Sequence, residues 1–290
     1  DVYVSPGVLE CGAAPPDTCQ SAAVLVESLA AELTALEAQG AALNIDIGAV
    51  ADFEFHQIFG TSSETALLTR LNNVDGISSE QHGVQIGVAE VDVFSANTDP
   101  FTSTDAEELL DELAIYRGAS PAQDAQGLTH LFTGRDLDGL TVGIAFVGAI
   151  CARRSSFDPL DRSLAATLSE GTRGSVVDSL IAAHEIGHSF GAPHDAESDS
   201  PCAATPATFL MAPSVNGSDR FSACSIERMQ AKIAAASCLT PIGAADIDVA
   251  FQAAPATALA GSSFVHTLLV ANLGAVAARA TSVTVSAASG

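Results

Sequence analysis

Lysine is nearly absent from this sequence. Lys232 is the single lysine, and lysine and arginine together number 11 against 35 aspartates and glutamates, for a net charge of -24. A surface of that sign has no basic patch for phosphates, which excludes nucleic acid as a partner. Acidic, lysine-poor surfaces suit salty surroundings, where self-repulsion is screened, and this composition is compatible with a marine or halotolerant bacterium. None of the six cysteines sits in a CxxC pair, so a cysteine knuckle for metal is not expected. No uncharged apolar stretch reaches the eighteen residues of a membrane span. The longest apolar runs, such as "LTVGIAFVGAIC" (140–151), have the length of buried strands and carry their own glycines. No internal repeat is found in the first 240 residues. The sequence opens on Asp1 with no basic-then-apolar leader after it, so it reads as already processed.

What is present suffices for a full-sized core. The chain has 290 residues, 48% of them hydrophobic, which suggests one large domain or two smaller ones. The cysteines are even in number and widely spaced, at Cys11, Cys19, Cys151, Cys202, Cys224 and Cys238. That pattern favours structural disulfides in an oxidising compartment, with reduced core cysteines as the alternative for the later four. Cys11 and Cys19 flank a Pro-Pro loop and are expected to pair locally.

Periodicity places the elements. A helix is predicted over 21–40, a buried strand over 43–53, a helix over 62–81 capped by Ser62 or Ser63, and a second strand over 84–94. An amphipathic helix with an acidic first turn is predicted over 102–118. Two strands, 128–134 and 140–151, surround a turn at Asp138-Gly139, and a partly exposed strand is predicted at 163–169. The helix over 175–191 has apolar positions Val176, Leu180, Ile181, Ile186 and Phe190 and stops at Gly191; a last helix over 225–238 is capped by Ser225. The composition changes near "PIGAA" (241–245). Beyond it "DIDVAFQ", "SFVHTLLVANLG" and "ATSVTVSAAS" read as short strands, and the sequence ends within the last strand-like pattern. The expected division is an N-terminal segment with its helix (1–42), a catalytic domain (43–242) and a partial β segment (243–290).

Three of the seven histidines fall in "HEIGHSFGAPHD" (184–195). Either they form a metal site or they fall close together on an ordinary helix. Residues four apart share a helix face, so His184 and His188 project side by side at a separation suited to one zinc ion. Gly191 is able to take a positive φ, end the helix and bring His194 back as a third ligand. Three imidazoles leave a fourth position open. Glu185, beside the first ligand, is placed to move the proton of a water there. His56, His82, His130 and His266 have no such context and are expected to be surface or hydrogen-bonded side chains.

"HEIGHSFGAPHD" followed by "FLMAPSV" resembles the metzincin zinc proteases, and more narrowly their reprolysin (adamalysin, ADAM-type) group, as a secreted bacterial member. The similarity extends over roughly 43–240, including "AVADFEFHQIFG" (49–60), "LFTGRDLDGLTVGIAFVGAIC" (131–151) and "FSACSIERMQAKIAAASCL" (221–239). It implies an α/β fold: a metzincin-like catalytic domain with a twisted, mostly parallel sheet and an active-site helix, here followed by the start of a β-sandwich-like segment. It implies one catalytic zinc on His184, His188 and His194, Glu185 as general base, Asp195 as the mark of the reprolysin branch, and Met211 as the Met-turn floor. It also implies disulfides Cys151–Cys238 and Cys202–Cys224, an extended protein or peptide substrate along an edge strand, and a secreted monomer. The family's calcium site would use Asp46, but "LTPIG" after Cys238 lacks the asparagine expected there. In family zymogens a cysteine such as Cys11 occupies the open zinc position, which is the alternative to its pairing with Cys19. The rival function is a binding or adhesion module that has kept its zinc and lost catalysis; such proteins usually lose the glutamate or a ligand.

Overall fold

The structure is a computed structural model that describes residues 43–155, 157–242, 247–253 and 267–272. The expected helix over 21–40, Cys11 and Cys19, His266 and the third strand of the tail lie outside the described residues. The chain divides into two units, and the larger runs from Ala42 to Pro241.

The larger unit is built on β1 (Leu43–Ala51). Its sequence LNIDIGAVA alternates at first, with Asp46 exposed, and then runs apolar and buried from Ile47 to Ala51, as a strand covered on both faces requires. A buried Asp52 caps α1 (Phe53–Phe59), accepting from the Phe55 amide at 2.8 Å. A short 3-10 turn leads to α2 (Ser63–His82), and β2 (Val84–Val93) follows. Next come α3 (Ala106–Ala119), a single turn α4 (Pro121–Asp124) and β3 (Leu128–Thr133). Then follow β4 (Gly143–Ala145), β5 (Ala166–Glu170), α5 (Ser175–Ser189), α6 (Ala223–Ala235) and β6 (Thr240–Pro241).

The strand order is β2-β1-β3-β5-β4, with β6 pairing the start of β1. β1, β2, β3 and β5 are parallel; β4 runs antiparallel to β5 at the edge, and β6 antiparallel to β1. Alternate side chains feed two cores. Ile45, Ile47 and Phe132 pack with α2, α5 and α6, while Val50, Leu131 and Leu168 pack with Leu109, Leu110 and Leu113 of α3. The result is a mixed α/β fold with a mostly parallel open sheet between helical layers.

Four local expectations change. The apolar run 140–151 yields only the three-residue β4, because its apolar side chains do not share one buried face: Ile150 is core, whereas Leu140 is 99% exposed and Val147 is 65% exposed. β5 itself is fully buried rather than partly exposed, and its polar side chains are matched. Ser169 meets the His130 ring at 3.0 Å, the Thr167 hydroxyl donates to the Ile144 carbonyl at 3.2 Å, and Glu170 accepts the Leu137 amide at 2.9 Å. The helix expected at 102 begins at Ala106, where Asp105 caps the Glu107 and Glu108 amides. The last helix is capped by Ser222, not Ser225; the Ser225 amide donates to the Ser222 hydroxyl at 3.0 Å.

In the second unit, β7 (Ile247–Ala253) and β8 (Thr267–Asn272) form an antiparallel pair.

Candidate metal centre

α5 carries the first two histidines, and its start is fixed by charge. Asp178, fully buried in the first turn, accepts the Arg173 amide at 2.9 Å and receives Nε and Nη2 of Arg70 at 3.0 and 2.7 Å. Removing one partner of such a buried pair typically costs about 3–5 kcal/mol. Ile181, Ala182, Ile186 and Phe190 anchor the helix to the core, whereas Val176, expected on that face, is exposed. Each large buried aliphatic or aromatic side chain there contributes roughly 1.5–3 kcal/mol. Regular helix ends at Ser189, Phe190 caps it, and Gly191 takes φ +97°. A side chain at that angle would be strained, so glycine lets the chain reverse toward the helix face.

The reversal brings His194 to the other two rings. Its Nε2 lies 3.2 Å from Nε2 of His184 and 3.1 Å from Nε2 of His188. The opposite nitrogen of each ring is committed. Nδ1–H of His184 donates to the Leu210 carbonyl at 2.7 Å, and Nδ1–H of His188 donates to the Ala192 carbonyl at 2.7 Å. Nδ1 of His194 lies 3.0 Å from Oε2 of Glu197. Carbonyl oxygens accept and never donate, so the protons belong on Nδ1 and the lone pairs on Nε2. Burial favours the neutral rings, lowering the pKa of His184 to about 4 and that of His188 to about 3. Ring nitrogens that face one another through lone pairs repel, and a cation between them would remove the repulsion. The three histidines fit a zinc site. Among the described residues they are the one group of three or more His, Cys, Asp or Glu side chains so gathered. Asp46, exposed on β1, accepts from the Asn44 amide at 2.9 Å and belongs to no such group.

Glu185 is 6% exposed, and burial pushes its carboxyl up to about 8. A carboxyl that titrates near neutral pH in a cleft is able both to take up and to release a proton. It lines two cavities, one on each side. The first, about 480 Å³, is walled by Leu140, Val142, Leu180, Leu210 and Val215. The second, about 460 Å³, is walled by Ile144, Val147, Glu197, Asp199 and Pro201. Gly143 of the edge strand and His194 also line both.

Met211 is fully buried, its Sδ lies where a Cβ on Gly187 of α5 would meet it at 2.9 Å, and its carbonyl accepts the Asp195 amide at 2.8 Å. The Leu210–Met211 turn thus steadies the first histidine and the residue after the third. Asp195, fully buried, accepts the Ser222 hydroxyl at 2.9 Å and ties that turn to the cap of α6. Disulfides join Cys151 to Cys238 and Cys202 to Cys224. In the chain-entropy picture, loops of these lengths give roughly 3–5 kcal/mol each. His56, His82 and His130 stay apart from the cluster, hydrogen-bonded to Ser63, Ser78 and Ser169. Sequence reading missed the partners of the ring nitrogens. Two are main-chain oxygens, which leave no mark in the residue type; the third, Glu197, lies three residues after His194.

A reprolysin-type family model, described as Metallo-peptidase family M12, matches residues 42–222. The "Zinc metalloproteinase-disintegrin-like atrase-A" of Naja atra is 28% identical over 125 residues, covering 43% of this chain and 19% of that protein. The "Disintegrin and metalloproteinase domain-containing protein 10 homolog" of Caenorhabditis elegans is 30% identical over 130 residues, covering 37% of this chain and 14% of that protein. The chain thus spans less than a fifth of the length of either relative.

Proposed function

Because the chain belongs to the M12 family of metallopeptidases, we propose that it is a secreted zinc endopeptidase in which His184, His188 and His194 hold the ion and Glu185 is the general base. The observation that carries this reading is the convergence of three Nε2 atoms whose rings are each anchored through Nδ1. Zinc on three imidazoles supplies a Lewis acid that polarises a carbonyl and makes water a stronger nucleophile.

The remaining work falls to the chain. The Glu185 carboxylate takes a proton from the attacking water and delivers it to the departing amine nitrogen. The edge strand β4 offers main-chain groups to an extended peptide. The two cavities that meet at Glu185 leave room for substrate on both sides of the cleaved bond, as internal cleavage requires. The apolar walls of the larger cavity favour an apolar side chain.

Secretion is supported by the two disulfides, and no helix among the described residues is long and apolar enough to cross a membrane. The acidic, lysine-poor composition is compatible with a marine or halotolerant bacterial source, and we take the working unit as a monomer. No observation favours a decayed binding module, since Glu185 stands beside three converging histidines. Casein or gelatin hydrolysis tests the reading: it should be abolished by a chelator and restored by zinc. Hydrolysis indifferent to the chelator would overturn it.

A further inference from the structure

The three histidines are not held alike. His184 and His188 are fixed by main-chain carbonyls, which are part of the fold. His194 lies beyond the helix, its side chain is 29% exposed, and the acceptor of its Nδ1 is a surface carboxylate, Oε2 of Glu197 at 3.0 Å. The backbone between them is arranged for this contact. Ala196 takes φ +61°, a left-handed conformation that a residue with a side chain rarely adopts, and the turn brings Glu197 back toward the ring three residues before it. The loop is clamped on both sides. The Asp195 amide donates to the Met211 carbonyl, the Ser200 hydroxyl to the His194 carbonyl, and Cys202 is bridged to Cys224. None of these clamps touches the imidazole itself.

The structure assigns Glu197 as the positioning residue of the third histidine: its carboxylate holds the His194 ring so that Nε2 points at the other two. This rests on the reading of the histidines as a zinc site. A carboxylate behind a ligand histidine fixes the tautomer and the plane of the ring, and losing such a partner typically weakens metal binding 10–100-fold. Because Glu197 is about half exposed and carries no part of the core, its removal should leave the fold intact.

The test is zinc affinity of the full chain by competition with a chelating dye, in wild type, Glu197→Ala, Glu197→Gln and His188→Ala. Thermal unfolding of the metal-free proteins runs alongside. Glu197→Ala should bind zinc about 10–100-fold more weakly with an unchanged metal-free midpoint. Glu197→Gln, which keeps an acceptor oxygen, should recover part of that loss. Wild-type affinity in Glu197→Ala, with zinc lost in His188→Ala, would overturn the role of Glu197 and leave the histidine site standing. Equal affinity in all four proteins would overturn both.

Discussion

Gly143 and Glu185 touch so closely that a single methyl group would not fit between them. A Cβ on Gly143 would lie 2.7 Å from Cγ and 2.8 Å from Oε1 of Glu185. The edge strand therefore sets the position of the carboxylate as well as one wall of the cleft. Gly143→Ala should keep zinc at one per chain and leave the unfolding midpoint nearly unchanged. It should lower kcat on a short peptide on the order of 10–100-fold, the usual effect of displacing a reacting group by about 1 Å. Wild-type kcat in this variant would show that the carboxylate has room to move without consequence.

His130 offers a test of the core by pH. It is fully buried, and burial lowers its pKa to about 3. In the unfolded chain a histidine titrates near about 6.5, so between these values unfolding takes up a proton. The folded state therefore has its full stability above about pH 6.5 and loses it as the pH falls toward 3. At pH 5 the loss from this one ring is about 2 kcal/mol. Urea unfolding at about pH 7.5 and about pH 5 should show a smaller acid loss in His130→Gln than in wild type. Equal losses would mean that the ring is already charged, or already accessible, in the fold.

The division of the chain is tested by truncation. The larger unit ends at Pro241, where Thr240 and Pro241 pair with Asn44 and Leu43 of β1, and Cys238 is bridged to Cys151. A chain ending at residue 243 keeps all of these contacts. It should bind zinc and cleave short peptides at the rate of the whole chain. A truncated chain that binds zinc but fails to cleave would place residues 244–290 in the catalytic unit.

The sequence made the first strand legible because the second half of β1, Ile47–Ala51, is buried on both faces, and its continuous apolar run fits few other roles. The gathering of His184, His188 and His194 was legible because it is local, set by one helical turn and one glycine. The edge was not legible. Leu140 and Val147 are apolar because they wall a cleft, and periodicity alone does not separate a cleft wall from a core. β5 was misjudged for the converse reason. Thr167, Ser169 and Glu170 look like surface residues, and only their partners Ile144, His130 and Leu137, distant in sequence, explain their burial. The carbonyls of Leu210 and Ala192 that orient two of the rings carry no residue-specific signal at all.

The proposed function separates two roles: the three histidines would hold the metal and Glu185 would move protons. Zinc content and peptide hydrolysis measured together on Glu185→Ala test it most directly. The prediction is one zinc per chain, as in wild type, with turnover reduced at least about 10²–10⁴-fold. Near-normal turnover, or loss of zinc together with activity, would contradict it.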